Sequence, residues 1–202
     1  VVIVYDYAFI NGGAAKVAIQ SAVELSKNKD VIVYYFAAVG PVCEELSNSN
    51  VKVVCLNDYD INTCPNRFKA ALFGIWNTKA TSEFTKLLSR LDKKETVVHF
   101  HGWVKALSSS VVKVANDMEF KVFITLHDYF TVCPNGGFYN YQKNEICKLI
   151  PMGMKCICCN CDKRNYFQKL WRCCRQFVQD LIVRNNKKII YISISDLNER
   201  TV

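Results

Sequence analysis

The sequence has no apolar run that approaches the ~20 residues of a membrane-spanning helix. Its first residues also lack the basic-then-apolar pattern of a secretory leader. Neither G-x-G-x-x-G nor a P-loop motif occurs, so the two best-known nucleotide-binding fingerprints are excluded. We therefore expect a soluble, cytoplasmic protein that binds its ligands by other means.

Cysteine, by contrast, is abundant, with eleven residues in the chain. A disulfide scaffold is not indicated, because the number is odd and the sequence shows a strand-helix alternation that needs no covalent links. We expect reduced thiols in a cytosol.

The chain has 202 residues, and half of them are hydrophobic. This is enough for one domain with a sizeable core. The sequence starts inside a predicted strand without Met and stops at ISISDLNERTV, a strand that leads into a new helix. We therefore expect both ends to be cuts and the chain to be a fragment.

Short β-branched or aromatic runs alternate with helical patterns along the chain. The runs predict strands at 1–5, 31–36, 51–56, 96–100, 121–126 and 188–194, and helices at about 13–27, 66–77, 80–91 and 104–118. This alternation predicts an α/β fold, a doubly wound, mostly parallel Rossmann-like sheet. Residues 127–164 interrupt the alternation, and a connection of that length is usually functional.

A glycine-rich turn follows the first predicted strand, in the segment from Asn11 to Lys16. Gly12 and Gly13 remove side chains where the backbone turns into a helix, which leaves free N–H groups at the positive end of the helix dipole. An anion such as a diphosphate would fit there. The alternative is a tight turn between strand and helix that holds no ligand.

All three histidines fall at predicted strand ends, where ligands bind in open α/β sheets. His99 and His101 share one face of their strand; we expect His101 to reach the pocket and His99 to be a hydrogen-bonded core residue. His127 follows an apolar strand and is expected to be a neutral hydrogen-bonding partner for a hydroxyl. Asp128 either orients His127 or caps the following turn.

Three segments together carry a resemblance to a known family: GGAAKVAIQSA at 12–22, HFHGW at 99–103 and TLHDYFTVCPNGGFYNYQ at 125–142. In this order they resemble the N-terminal domain of the retaining GT-B glycosyltransferases of family 4, of the type that builds bacterial surface polysaccharides. The resemblance covers essentially the whole chain. It implies an acceptor-side Rossmann-like domain with a Cys-rich insertion at about 127–164.

The resemblance also implies roles for individual residues. His127 would contact the donor sugar near the reacting carbon, with Asp128 beside it in the catalytic set. The donor and acceptor would be bound by Gly12, Gly13, Lys16, His101, Gly102 and Trp103. The family's second domain, which binds the nucleotide sugar and carries paired glutamates, has no counterpart in these 202 residues. We therefore expect these residues to be inactive alone.

The implied reaction transfers a hexose from a nucleoside diphosphate sugar to a glycan or lipid-linked acceptor, with retention at the anomeric carbon. The mechanism favoured for this family is attack from the front face, assisted by the leaving diphosphate. It requires neither an enzyme nucleophile nor a catalytic metal. Stabilising the departing diphosphate is then the main electrostatic task, which the amides of Gly12 and Gly13 would share.

Six cysteines crowd residues 133–161, and Cys156/Cys159 and Cys158/Cys161 form overlapping C-x-x-C pairs. That spacing lets two thiolates share a tetrahedral metal. A structural zinc bound by Cys133, Cys147, Cys156 and Cys159 is one interpretation. Free thiols in a well-packed loop are the other, and a disulfide or an iron–sulfur cluster is a minor alternative. Cys173 and Cys174 are expected to pack on a helix.

Basic residues concentrate in residues 143–188, where eleven Lys and Arg face three acidic residues, an excess of 11 − 3 = +8. Within it, residues 165–182 predict an amphipathic helix. The apolar face holds Phe167, Leu170, Trp171, Cys174, Phe177, Val178 and Leu181, and the opposite, solvent-facing side holds Lys169, Arg172, Arg175 and Gln179. The helix either packs its apolar face on the sheet, which we favour, or lies on an anionic membrane at the inner face of the cell.

Two other classes of protein compete with the glycosyltransferase. A basic nucleic-acid-binding module would leave the Gly12-Gly13 turn and the His127 loop without a purpose, so no nucleic-acid partner is expected. A non-catalytic metal-binding or redox protein would use the cysteines, but no C-x-x-C begins a helix after the first strand.

Overall fold

The computed structural model describes residues 1–184, 186 and 188–196. The chain divides into two compact units: unit 1 comprises 1–125 with 187–192, and unit 2 comprises 126–186 with the residues from 193 onward. The predicted insertion at 127–164 falls inside unit 2, which continues beyond it. Among the helices of the described residues, none has the length and apolar character needed to cross a membrane.

The strands in chain order are β1 Val2–Val4, β2 Tyr34–Ala37, β3 Lys52–Cys55, β4 Val97–Phe100, β5 Lys121–Leu126, β6 Tyr139–Asn140, β7 Glu145–Ile146 and β8 Ile190–Ser193. Six of them form one sheet in the order β3-β2-β1-β4-β5-β8. β1 pairs in parallel with both β2 and β4, and the β2–β3 and β4–β5 pairs are also parallel. All six predicted strands are present, and the doubly wound α/β fold is confirmed.

The helices are α1 Gly13–Ser26, α2 Glu44–Ser47, α3 Arg67–Ile75, α4 Thr78–Leu88, α5 Ser110–Asp117, α6 Met154–Cys158 and α7 Tyr166–Ile182. Three of them begin at an asparagine whose side chain accepts a backbone N–H of the first turn, as N-caps do: Asn66, Asn77 and Asn165. The short helices α2 and α6 were not predicted from the sequence.

The core of unit 1 lies on the two faces of the sheet. β1 is fully buried along its length, as expected for a central parallel strand. On one face the ring of Phe84 from α4 packs between Phe36 of β2 and Phe100 of β4, with centroid separations of 4.7 and 6.1 Å. These contacts hold α4 against β2 and β4, the two strands that flank β1.

The helix predicted at 104–118 is shorter than expected and begins only at Ser110. The backbone N–H groups of residues 105–107 donate to the carboxylate of Asp6, so they are held in a loop. Ser108 then adopts a left-handed conformation, with φ of 64°, that no α-helix continues through. The buried Asp6 thus outweighs the helical pattern of the sequence.

Unit 2 is held together by hydrogen bonds of its polar side chains. In the loop after β5, Asn135 donates to the carbonyl of Tyr139 at 2.8 Å and accepts the N–H of Gly137 at 3.1 Å. Gly136 has φ of 76°, and a Cβ there would lie 2.5 Å from the ring of Phe130. Only glycine fits this position without displacing that ring.

The predicted orientation of helix α7 is wrong. Three residues of its predicted apolar face are exposed, Phe167 at 81%, Phe177 at 59% and Leu181 at 62%, while Leu170, Trp171 and Val178 are half-buried. The polar face is buried instead, because its side chains donate to backbone carbonyls of the loop at residues 130–134. These donors are Arg175, Gln176 and Gln179. Buried carbonyl groups of a loop have no hydrogen-bond donors from a sheet or helix backbone. The polar side chains of α7 supply these donors, so its polar side is the buried one.

Candidate functional site

The glycine pair beyond β1 lies in open space. Gly12 and Gly13 are exposed, and a Cβ built on either one would meet no atom within 4 Å. Gly12 precedes the first turn of α1, which has neither a side-chain cap nor an acidic residue. Packing among the described residues therefore does not require glycine here, and the N–H groups of this turn, which no side chain caps, can donate to an anion.

Lys16 lies one turn into α1 and is exposed. Its backbone N–H donates to the carbonyl of Gly12 at 3.1 Å, the first hydrogen bond of the helix. No ion pair joins its side chain to a carboxylate within the described ranges. The ammonium group is thus available to an anion near the start of the helix.

His99 of β4 and His101, which follows the strand, have ring centroids 4.2 Å apart, with the ring planes tilted by 39°. His99 Nε2 lies 2.7 Å from the hydroxyl of Thr125 on β5, as expected for a hydrogen-bonded residue. His101, which we expected to reach the pocket, is 5% exposed, and its backbone N–H donates to the carbonyl of Val4. Its backbone is therefore tied to β1, and its ring is buried beside that of His99.

Gly102 and Trp103 both have a packing reason for their identity. A Cβ on Gly102 would lie 2.9 Å from Cε2 of Tyr5, so the tyrosine ring needs glycine there. Trp103 is buried and meets Phe100 edge to face, with centroids 5.9 Å apart. Trp103 therefore presents little surface to a ligand in this structure, although both residues were predicted to bind one.

Asp6 is a residue of this region that the sequence analysis did not single out. Its buried carboxylate accepts the N–H groups of Lys105, Ala106 and Leu107 at 2.8–2.9 Å. Burial raises the pKa of Asp6, although these three hydrogen bonds and the nearby Lys105 charge oppose the shift. Asp6 fixes the loop that follows His101, and its position two residues after β1 was the only signal in the sequence.

His127 follows β5 directly and belongs to unit 2, where it is half-buried. Burial lowers the pKa of this imidazole, so it is neutral at pH 7, in agreement with the predicted state. Asp128 is exposed, and its Oδ1 accepts the N–H of Phe130 at 2.9 Å. This hydrogen bond is the turn-capping role that was one of the two predicted for Asp128.

The structure does not gather the four predicted zinc ligands. Cys133 Sγ contacts Asn135 at 3.1 Å, Cys156 Sγ contacts Lys169 at 3.3 Å, and Cys159 Sγ contacts Asn140 at 3.6 Å. Cys147 lies after the β6–β7 hairpin, and its backbone N–H donates to the carbonyl of Phe138.

Over the described part of the chain, no group of three or more His, Cys, Asp or Glu side chains is arranged to hold a metal. The residues present therefore do not fit the predicted zinc. The positive charge beside Cys156 is supplied by the ammonium of Lys169.

Comparison with known protein families and with curated proteins found no match for this chain. The function is therefore argued from the fold and from the residues described above.

Proposed function

We propose that this chain is the acceptor-side domain of a retaining glycosyltransferase, which transfers a hexose from a nucleoside diphosphate sugar to a glycan or lipid-linked acceptor. The observation that carries the proposal is the open glycine pair at the start of α1. In a doubly wound sheet, ligands bind beyond the carboxyl ends of the strands, and β1 lies at the centre of this sheet.

The glycine pair supports binding of the donor diphosphate. Gly12 and Gly13 give the backbone a bare surface, and the exposed Lys16 adds a positive charge one turn further along α1. Helix N-termini of this kind favour phosphate groups through their N–H donors and their dipole. In the reaction these donors would stabilise the charge that develops on the leaving diphosphate.

The acceptor would lie beside His101 and Gly102, and His127 would contact the donor sugar. A neutral imidazole both donates and accepts hydrogen bonds, so His127 suits a sugar hydroxyl. The lowered pKa of His127 keeps it in that form at neutral pH. Front-face attack assisted by the diphosphate requires no protein nucleophile, and no metal has a role in the chemical step.

Helix α7 supports attachment to an anionic membrane at the cytoplasmic face. Phe177 and Leu181 are one turn apart on its exposed apolar side. Lys163 and Arg164 precede the helix, Arg184 follows it, and all three are exposed. An apolar helix face with basic residues at both ends suits a bilayer rich in anionic lipids, where a lipid-linked acceptor would be found.

The test is an assay of the full-length protein with a panel of nucleotide sugars. We expect transfer from one of them, and we expect His127→Ala to lower kcat by ~10²-fold or more with the fold intact, because a transition-state contact is lost. Lys143→Ala, at an exposed residue of the same unit, is the control and should retain activity. No transfer from any nucleotide sugar, or normal turnover by His127→Ala, would contradict the proposal.

A further inference from the structure

The segment that follows β4 is held by a buried carboxylate. We call residues 101–107 the β4 loop. Asp6 Oδ2 accepts the backbone N–H of Lys105 at 2.9 Å, and Oδ1 accepts those of Ala106 and Leu107 at 2.8 and 2.9 Å. Both carboxylate oxygens are therefore used, and hydrogen bonds to an ionised acceptor are stronger than neutral ones.

Other parts of unit 1 hold the β4 loop by further hydrogen bonds. Nδ2 of Asn77, the N-cap of α4, donates to the carbonyl of Ala106 at 2.7 Å. The backbone N–H of Ile61 donates to the carbonyl of Lys105 at 2.9 Å, and at the start of the loop the N–H of His101 donates to a carbonyl of β1 at 2.9 Å. All of these residues belong to unit 1. The loop is thus tied to β1, to α4 and to the segment that follows β3.

The β4 loop lies where a doubly wound sheet binds its ligands. The sheet runs from β1 through β2 to β3 on one side and from β4 to β5 on the other, so the strand order reverses between β1 and β4. Ligands of such sheets bind in the crevice beyond the carboxyl ends of the strands at this reversal. Asp6, two residues after β1, holds the loop that follows β4, so its side chain bridges the two strands that border the crevice.

The buried carboxylate shapes the loop at a cost in solvation. A buried charge is unfavourable unless hydrogen bonds replace its water, and here three backbone N–H groups do so. The sequence pattern would allow a helix from residue 104, but α5 begins only at Ser110. As a result, Gly102, Val104 and Lys105 remain partly exposed next to the carboxyl end of β4.

We propose that Asp6 and Asn77 are positioning residues of the acceptor site, which hold the β4 loop in the arrangement that orients the acceptor hydroxyl for transfer. The inference rests on the proposed function, because that function places the acceptor beside His101 and Gly102. Both side chains act through the loop backbone. Since a misplacement of reacting groups by ~1 Å can lower a rate ~100-fold, the loss of either hold should affect the acceptor and spare the donor site at the start of α1.

The first test is Asp6→Asn in the full-length protein, assayed with the nucleotide sugar that the wild type uses and with octyl glycosides as acceptors. The amide nitrogen that replaces one carboxylate oxygen donates and cannot accept, so at least one N–H of residues 105–107 loses its acceptor. We expect the acceptor KM to rise roughly tenfold and the nucleotide-sugar KM to stay within about twofold of the wild type.

A control variant separates positioning from stability. KM does not depend on the concentration of folded enzyme, so a loss of stability alone leaves it unchanged. Leu46→Ala removes a buried side chain of α2 from the core cluster that contains Ile3 and Ile19. It should destabilise unit 1, because it leaves a cavity, and it should keep both KM values at the wild-type level.

The second test is Asn77→Asp, which decides the question if Asp6→Asn fails to fold. Aspartate keeps the Oδ1 that accepts the N–H of Ala80 and caps α4, but it loses the donor to the carbonyl of Ala106. We expect the acceptor KM to rise severalfold. Asn66→Asp is the matched control, because Asn66 caps α3 through the N–H of Lys69. It should keep the wild-type acceptor KM.

The outcomes separate this inference from the proposed function. If the wild type transfers sugar but both Asp6→Asn and Asn77→Asp keep its acceptor KM, the positioning role is overturned and the proposed function stands. Equal rises in the acceptor and nucleotide-sugar KM, or a matching rise in Asn66→Asp, would overturn the positioning role in the same way. No transfer by the wild type from any nucleotide sugar would overturn both.

Discussion

At the scale of single residues, the lowered pKa of His127 sets the sign of its response to pH. The ordinary histidine pKa is about 6.5. Above that pH His127 is neutral in both the folded and the unfolded chain, so its titration does not change the free energy of unfolding there. As the pH falls through about 6.5, the unfolded chain gains a proton that the folded chain does not, and the free energy of unfolding decreases.

We therefore expect an NMR titration of the His127 ring in the folded protein to give a midpoint below about 6.5. Urea unfolding should show that His127→Gln loses less stability than the wild type between neutral and mildly acidic pH, because the titrating group is gone. A midpoint at or above the ordinary value would show that burial does not control this imidazole.

Sequence position predicted the hydrogen bond of His99, but not the burial of His101 or the polar groups that hold the structure. The part played by Asp6 depends on residues 105–107, which lie far along the chain and reach it only through the fold. Lys169 was placed on a solvent-facing side of its helix, because nothing local reveals a thiol partner.

At the scale of helices and strands, hydrophobic periodicity predicted the existence of the main elements well. The six sheet strands and the extents of α1 and α7 follow from their patterns. Periodicity did not predict which face of α7 is buried, because that inference assumes an apolar surface opposite the helix. Here the opposite surface is a loop whose carbonyl groups need donors, and Gln176 and Gln179 supply them.

Gly102, which follows β4, and Gly13, the first residue of α1, should respond differently to the same substitution. Gly102→Ala places a Cβ 2.9 Å from the Tyr5 ring, so we expect it to lower the free energy of unfolding by ~1–3 kcal/mol. Gly13→Ala meets no atom, and stability should stay unchanged or rise by up to ~1 kcal/mol. Urea unfolding of both variants measures this difference.

The same pair of variants tests the anion site. If a diphosphate approaches the backbone at the start of α1, Gly13→Ala should weaken binding of inorganic pyrophosphate or a nucleoside diphosphate roughly tenfold in calorimetry, about 1.4 kcal/mol. Wild-type affinity in that variant would favour the ligand-free turn that was the alternative interpretation of this segment.

At the scale of the whole molecule, charge and exposed apolar surface coincide in unit 2. Residues 126–186 contain nine Lys and Arg and four Asp and Glu, a net charge of 9 − 4 = +5. Two of the basic side chains, Lys169 and Arg175, are buried and do not face solvent. The exposed bases include Lys163, Arg164 and Arg184 next to the ends of α7, whose Phe177 and Leu181 are exposed in the part of the chain that the structure describes.

We expect the protein to bind vesicles that contain phosphatidylserine, and to bind vesicles of phosphatidylcholine alone much more weakly. Each basic residue that reaches an anionic surface adds ~1 kcal/mol, and salt should reduce this attraction. Sedimentation with vesicles at low and high salt measures both effects.

The apolar part of the interaction is tested by Phe177→Glu and Leu181→Glu, which place a charge on the exposed face of α7 and should each reduce the bound fraction severalfold, because insertion of that face is lost. Val17→Glu is the matched control, since Val17 is an exposed apolar residue of α1 in unit 1. It should leave vesicle binding unchanged. Equal binding to neutral and anionic vesicles, or equal losses in all three variants, would show that α7 does not contact the membrane and that its apolar face has another partner.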